Sequence, residues 1–239
     1  MNPLIITAYN NLSMTQAAVA SALAQDIPID LHLIDIGSPD GTWEWMRSLD
    51  GPRIMRYQQN QPPTRVANDA LFRQFTVRGS DYVLCAPNDV VLPKNLYREF
   101  LKWPRGFVTA SETKDNPPPE FDTAMAVNEC TPMAVVLIRR WAYEAIIAKD
   151  GFYLDERMAH YASDCSLALS MAACGIRGVQ LSLEYFHYGS ASWRTADPAE
   201  QRMAQLQADD DRAYFRQKHG FAVNDLEYGA MARDINFRG

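Results

Sequence analysis

Short apolar runs alternate with segments of helical spacing through the first hundred residues, and this alternation restricts the possible folds most strongly. The apolar runs cover residues 4–8, 29–36, 53–58 and 82–86, and helical spacing covers 13–25, 42–49 and 64–77. A capping-box pattern, Ser13-Met14-Thr15-Gln16, predicts the start of the first helix. Strands that alternate with helices form right-handed βαβ units. We therefore predict an α/β fold with a mostly parallel central sheet and helices on both faces.

The order of elements changes after Pro93. We predict a helix over 94–103, strands at 106–110, 133–138 and 179–185, helices over 140–149 and 163–174, and an amphipathic segment over 198–219. Residues 111–121 are polar and proline-rich, which predicts a surface loop. A length of 239 residues suits one sizeable domain. We divide it into residues 1–103, residues 104–195 as the second half of the same domain, and residues 196–239 as a C-terminal helical segment and tail.

Composition narrows the class of protein. The chain is 47% hydrophobic and 22% charged, as expected for a globular protein, and its net charge of −6 argues against a broad nucleic-acid surface. No apolar run reaches about 18 residues, so we predict no membrane-spanning segment. The N-terminus lacks a basic leader and already resembles a strand. Because the four cysteines have no CxxC spacing, we predict free thiols and a cytoplasmic location.

The sequence lacks the motifs of several common classes of nucleotide-binding proteins and enzymes. No GxGxxG follows the first strand, and the chain has no GxxxxGK[ST], HExxH or GxSxG. The four histidines are too scattered to form a zinc set by spacing. The sequence therefore does not support a site of any of these types.

Polar residues follow each of the first four predicted strands. They are Thr7, Tyr9, Asn10, Asp35, Asn60, Asn88 and Asp89. The carboxyl ends of parallel strands open into one crevice, where such sheets bind ligands. A ring that stacks on a base, a carboxylate that accepts its N–H and a second carboxylate on a divalent cation would form a nucleoside-diphosphate site. Each residue also has a purely structural interpretation: Pro87-Asn88-Asp89 as a turn, Tyr9 as packing, Asp35 as a cap and Asn60 as a loop stabiliser.

These residues carry a resemblance to a known family. The strings ITAYN (6–10), LIDIGSPDGT (33–42) and APNDVVLP (86–93), with Asn60 and Asn68, resemble family-2-type inverting glycosyltransferases of the GT-A, Rossmann-like fold. Residues 152–175 are similar to the family's acceptor-side segment with its Glu-Asp pair. The strings EYFHYGSAS (184–192) and AYFRQKHG (213–220) resemble its His-containing strand end and terminal helix. The resemblance spans nearly the whole chain and implies a small acceptor-side extension of the fold.

The resemblance implies transfer of a sugar from a nucleoside-diphosphate sugar, with Mn²⁺ or Mg²⁺ as cofactor. It implies that residues 1–103 bind the nucleotide sugar and that residues 104–195 bind the acceptor and carry out catalysis. Carried over, the nucleotide-binding residues are Thr7, Tyr9, Asn10, Asp35, Asn60, Arg65 and Asn88. Asp35 would accept a pyrimidine N3–H, and UDP-sugars are the predicted donors.

The implied catalytic and metal residues are few. Asp89 would coordinate the metal and His187 would complete its shell or contact the diphosphate. Asp164 matches the general base, although an Asp at a helix start also serves as a cap. His187 has the alternative of an ordinary exposed histidine.

The acceptor side is less defined. Asp155 and Glu156 would shape it, or form a plain surface loop, and Trp193 would stack against a sugar face. The acceptor itself has four open classes: a saccharide, a lipid-linked glycan, a protein side chain or a hydroxymethylated DNA base.

Two departures from the family pattern keep other functions open. Pro87 stands where the first acid of an acidic triplet is expected, and Ser163 precedes Asp164 in place of an acid. These departures favour a catalytically inactive relative that binds nucleotide or glycan. A nucleotidyltransferase on a similar sheet is the third hypothesis.

Overall fold

The computed structural model describes residues 2–113, 134–188 and 198–223. Its strands are β1 Asn2–Ala8, β2 Ile29–Asp35, β3 Arg53–Arg56, β4 Tyr82–Pro87, β5 Val90–Val91, β6 Phe107–Thr113, β7 Val136–Arg139 and β8 Gly178–His187. Its helices are α1 Leu12–Leu23, α2 Thr42–Ser48, α3 Pro63–Phe72, α4 Leu96–Leu101, α5 Arg140–Asp150, α6 Ser163–Ala173 and α7 Pro198–His219, and a π-helical turn, Arg73–Val77, continues α3.

The described strands form one sheet in the order β3-β2-β1-β4-β7-β6-β8-β5. Strands β3, β2, β1 and β4 pair in parallel, and β6 pairs in parallel with β8. Strand β7 lies antiparallel between β4 and β6, and β5 pairs antiparallel with β8. The prediction of a mostly parallel α/β sheet is confirmed. From β1, the chain first adds β2 and β3 on one side of the sheet and then returns to add β4 on the other side, so the strand order reverses at β1.

Both faces of the sheet are covered. Because successive side chains of a strand point to opposite faces, Leu4 and Ile6 join one core cluster and Ile5 joins the other. The first cluster packs against α1, α2 and α4 through buried residues such as Val19, Met46 and Phe100. The second packs against α3, α5 and α6 through residues that include Leu71, Ile146 and Leu167. Helices on both faces are confirmed, and no helix in the described part of the chain is long and apolar enough to cross a membrane.

The predicted capping box at Ser13 is wrong. Helix α1 begins at Leu12, and its preceding residue, Asn11, is left-handed and makes no side-chain cap. The Leu12 N–H donates instead to Oδ2 of Asp40 at 3.0 Å, from the loop after β2. Thr15 is fully buried. The cap is supplied from a distant loop, which local sequence cannot reveal.

The prediction of free thiols holds for two cysteines and is wrong for a third. Cys85 and Cys174 are free, whereas Cys165 is disulfide-bonded. Cys130, the remaining cysteine, lies outside the described residues. A disulfide favours an oxidising environment, so the cytoplasmic location stays a prediction.

Candidate active site at the carboxyl edge of the sheet

The predicted nucleotide residues gather where the strand order reverses. Thr7 of β1 lies opposite Pro87 of β4, and Ala8 lies opposite Asp35 of β2. Tyr9 and Asn10 follow β1 directly, beside Asn88 at the end of β4. This crevice between β1 and β4 is the topological switch point, the usual ligand position in open α/β sheets.

The loop after β1 is held in an unusual conformation. Asn10 and Asn11 have φ angles of 58° and 61°, a left-handed region that asparagine tolerates better than most residues. The Asn10 N–H donates to Ser38 Oγ at 2.9 Å. The Asn88 side-chain amide donates to Asn10 O and to Thr15 Oγ1, both at 2.8 Å. Buried Asn88 therefore uses its amide group to tie the end of β4 to this loop and to helix α1.

Asp35 is enclosed rather than exposed. Its side chain has no solvent-accessible surface. Oδ1 accepts the Ser38 N–H at 3.1 Å, and Oδ2 lies 3.1 Å from Nε of Arg56. Arg56 also lies 5.4 Å from the centre of the Trp43 ring. A base could reach the Asp35 carboxylate only after Arg56 moved. The hydrogen bond from Ser38 to Asp35 fixes the loop after β2, a role that the sequence did not predict.

The remaining predicted nucleotide residues lie on the β3 side. Gly37 has a φ of +80°, and a Cβ there would lie 2.9 Å from the backbone carbon of Gln59. This close approach brings the β2 loop against the segment containing Asn60, and only glycine permits it. Asn60 and Arg65 are both exposed. The structure thus places these two at the rim of the site.

Asp89 and His187 lie together, although 98 positions separate them along the chain. Nε2 of His187 is 3.1 Å from Oδ2 of Asp89. The His187 side chain is 17% exposed and the Asp89 side chain is 14% exposed, so neither is fully buried. The contact is produced by the β5–β8 pairing, in which Val90 lies opposite His187, and by the Tyr188 N–H donating to Asp89 O at 2.9 Å.

Asp89 and His187 are the side chains of the crevice that could contribute ligands to a divalent cation. Within the described ranges, no group of three or more His, Cys, Asp or Glu side chains is arranged to hold a metal ion. Mg²⁺ and similar ions are commonly held by one or two protein ligands, with water and substrate phosphates completing the shell. Asp89 offers one such carboxylate, and its hydrogen bond with His187 at 3.1 Å holds it in place.

Asp164 is half-buried in the first turn of α6. Burial raises the pKa of Asp164, while the N–H of Cys165, 2.9 Å from Oδ1, acts in the opposite direction. The cap of α6 is Ala162 with no side-chain hydrogen bond, so Asp164 is not the cap. Burial therefore makes the Asp164 carboxylate a stronger proton acceptor than an exposed aspartate.

The segment before Asp164 is fixed to α3. Asn68 donates from Nδ2 to Leu154 O at 2.8 Å and to Oε1 of Glu156 at 3.0 Å, and it accepts the Leu154 N–H at 2.9 Å. Thr64 Oγ1 donates to Ala159 O at 3.3 Å. Helix α3 starts just beyond the carboxyl end of β3. These contacts hold residues 154–159 against α3, the helix that follows the carboxyl end of β3.

Asp155 has a structural role that sequence reasoning missed. It is buried and accepts hydrogen bonds from Lys218 Nζ at 2.9 Å and Tyr214 OH at 3.1 Å, both on α7. Burial alone would raise the pKa of Asp155, but the Lys218 hydrogen bond, the Arg157 N–H and the Lys218 charge lower it overall. Glu156 is exposed and accepts a hydrogen bond from Asn68, whereas Asp155 fastens the C-terminal helix. Trp193 lies outside the described residues.

The Asp155–Lys218 pair yields a stability prediction. We expect Lys218→Met to destabilise the protein by about 2–3 kcal/mol at pH 7, because a buried carboxylate loses its cation. The pKa of Asp155 is lowered on folding, so its contribution exists above its ordinary value of 3.8 and disappears as pH falls through the folded value. The loss of unfolding free energy in Lys218→Met, measured by urea unfolding, should therefore become smaller at acidic pH.

Lys102→Met provides the control for this prediction. Lys102 also pairs with a carboxylate, Glu99, but its side chain is 60% exposed. Exposed pairs contribute about 0–1 kcal/mol. Equal losses in both variants would contradict the structural role of Asp155.

A separate cavity of about 430 Å³ lies at the opposite, amino edge of the sheet. Its lining includes Asp30, Arg53, Arg78 and Asp81. Its two acids balance its two arginines, and no residue of the predicted site borders it.

Comparisons with known proteins show what the chain resembles. The sequence model of Glycosyl transferase family 2 matches residues 4–104, so the predicted family resemblance is confirmed for this part of the chain. No curated protein sequence matches the chain. The matched stretch contains β1 to β5 and α1 to α4, together with the polar strand ends from Thr7 to Asp89.

Solved structures show the same fold. S. aureus TarS 1-349 in complex with UDP is 17% identical with a TM-score of 0.59, and the alignment covers 95% of this chain and 76% of TarS. The mannosyltransferase PcManGT from Pyrobaculum calidifontis, in complex with GDP-Man and Mn²⁺, is 15% identical with a TM-score of 0.58 over 98% and 68%. Glucosyl-3-phosphoglycerate synthase from Mycobacterium tuberculosis, in complex with Mn²⁺, UDP and glucosyl-3-phosphoglycerate, is 15% identical with a TM-score of 0.58 over 92% and 80%. The predicted GT-A fold is confirmed.

Proposed function

We propose that this protein transfers a sugar from a nucleoside-diphosphate sugar, most simply a UDP-sugar, to an acceptor hydroxyl with inversion at the sugar carbon. The observation that carries the proposal is the 3.1 Å approach of Asp89 and His187 beside the β1–β4 switch point. Two distant residues converge where a diphosphate would lie. A divalent cation, Mn²⁺ or Mg²⁺, would neutralise the departing phosphates when it is bound there.

Asp164 would act as the general base. In a single displacement, the acceptor oxygen bonds to the anomeric carbon while the bond from that carbon to the phosphate oxygen breaks. The acceptor proton passes to the Asp164 carboxylate and the nucleoside diphosphate leaves. Burial raises the pKa of Asp164, which makes it a better proton acceptor than an exposed aspartate.

Tyr9 and Thr7 would line the nucleobase, with Asn10 and the Asn88 carbonyl oxygen beside them and Asn60 and Arg65 at the rim. Tyr9 is half-buried at the exit of β1. Asp35 would contact a pyrimidine N3–H only with displacement of Arg56, and its enclosure makes Tyr9 the main candidate for base binding. Tyr9 therefore gives the sharpest test of the nucleotide site.

We expect Tyr9→Ala to weaken uridine and UDP binding by about tenfold each, because base–aromatic stacking is worth about 1–3 kcal/mol. Isothermal calorimetry with both ligands measures the loss. A Tyr9→Phe variant keeps the ring and should bind like the unaltered protein. A loss confined to UDP would assign Tyr9 to the phosphates instead.

A catalytically inactive nucleotide-binding module is the second candidate. It is favoured by the two-residue metal set and by Asn88, whose amide hydrogens are occupied internally. The test is slow hydrolysis of UDP-sugars and GDP-sugars with Mn²⁺. Nucleotide release supports a transferase, tight binding without release supports the binding module, and pyrophosphate release from a nucleoside triphosphate supports a nucleotidyltransferase.

A further inference from the structure

Asp211 of α7 is a fully buried carboxylate that binds consecutive backbone amides. Its Oδ1 accepts the Ala159 N–H at 3.0 Å, and its Oδ2 accepts the N–H groups of His160 and Tyr161 at 2.9 Å each. Gln207, one turn earlier, donates from Nε2 to Oδ1 at 2.8 Å. A buried charge is costly unless hydrogen bonds satisfy it, and these four donors do so.

The amides that Asp211 binds lie directly before the proposed base. Residues 159–161 lead into Ala162, whose φ is +60°, and α6 then begins with Ser163 and Asp164. A left-handed alanine is strained and persists only where its surroundings fix it. Thr64 holds the other side of the segment through Ala159 O. The entry of α6 is therefore fixed from α3 and from α7.

We propose that Asp211 is a positioning residue for Asp164, an inference that rests on the proposed function. By fixing the three amides of 159–161, Asp211 sets the left-handed turn at Ala162 and, through it, the direction in which the Asp164 carboxylate faces. A displacement of about 1 Å at a reacting group can cost about 100-fold in rate. The C-terminal helix thus belongs to the catalytic apparatus, although its residues stay outside the nucleotide site.

The test uses the full chain and three single variants, which are then compared with Asp164→Asn and with the Asp164→Asn/Asp211→Asn double variant. Asp211→Asn keeps the side-chain size but replaces an acceptor oxygen with a donor. Gln207→Ala removes one support of the carboxylate and is the milder change. Asp210→Asn, an exposed neighbour on the same helix, is the matched control for the lost charge. Hydrolysis of the UDP-sugar or GDP-sugar with the highest rate reports turnover, and calorimetry reports UDP affinity.

We expect Asp211→Asn to lower kcat about 10- to 100-fold and Gln207→Ala a few-fold, with KM and UDP affinity within about twofold. Asp210→Asn should match the unaltered protein. In an Asp164→Asn background, Asp211→Asn should cause no further loss, because a residue that acts only through the base has nothing left to position.

The inference is overturned if folded Asp211→Asn has the kcat of Asp210→Asn, or if its effect is undiminished in the Asp164→Asn background. If Asp211→Asn does not fold, the same comparison with Gln207→Ala decides. Failure of the proposed function has a different signature, since Asp164→Asn itself would then keep full activity or no donor would be consumed at all.

Discussion

Replacing Asp164 with asparagine is expected to lower sugar transfer, measured as nucleotide release from a UDP-sugar, by about 10²- to 10⁴-fold. The amide cannot accept the acceptor proton, while its size and its place in the first turn of α6 stay the same. UDP affinity should change by less than about twofold, because Asp164 lies on α6 rather than on the strand ends that carry the nucleotide residues. Glu144→Gln, an exposed carboxylate on α5, is the matched control.

The pH profile gives the same residue a second test. Because burial raises the pKa of Asp164, the base becomes protonated and activity is lost at a pH above the ordinary aspartate value of 3.8. The acid limb of kcat/KM should therefore lie above that value and be absent from the residual activity of Asp164→Asn. Full activity in the variant, or an unchanged acid limb, would exclude Asp164 as the base.

Removing the Asp89 carboxylate is expected to have the second largest effect. We expect Asp89→Ala to weaken Mn²⁺-dependent UDP binding by about 100-fold and to abolish transfer, because even the outer-shell partners of metal sites are commonly worth about 10–100-fold. Binding of uridine, which lacks phosphates, should be unaffected. Calorimetry of UDP with and without Mn²⁺ separates the metal-dependent part.

Two further variants sharpen the Asp89 experiment. Asp81→Ala removes an acid from the other end of the same strand region, where its side chain is 90% exposed, and should leave UDP binding unchanged. His187→Ala should weaken the Mn²⁺-dependent binding less than Asp89→Ala, because a neutral imidazole contributes no charge. A Mn²⁺ titration identical in Asp89→Ala and Asp81→Ala would remove Asp89 from the metal site.

The strands were predictable because their signal is local. Short apolar runs identified β1, β2 and β4 within two residues of their observed bounds, and the amphipathic segment predicted at 198–219 is a helix with the same bounds. Strand β5 was missed because two residues, Val90 and Val91, carry no pattern of their own. Its existence depends on β8, which lies nearly a hundred positions later in the chain.

The candidate site likewise contains residues that were predictable from the sequence and contacts that were not. The strand end selected Asp89 and the family resemblance selected His187, and the structure places the two side chains 3.1 Å apart. The contacts of Asp35 with Arg56, of Asp155 with Lys218 and of Asp211 with residues 159–161 carry no sequence signal. Each is a buried carboxylate whose partner is set by packing between separate elements.

The sequence alone determined the α/β class, the edge of the sheet that holds the polar groups and the family resemblance of residues 4–104. Periodicity and chain order suffice for these, because parallel strands joined by helices place their carboxyl ends on one side. Only the tertiary structure decided which carboxylates remain available to a ligand. Asp89 and Asp164 are only partly buried, whereas Asp35, Asp155 and Asp211 are buried. Partners from distant segments surround these three carboxylates, because a buried charge needs hydrogen-bond donors or a counter-charge, and only the fold decides which segments supply them.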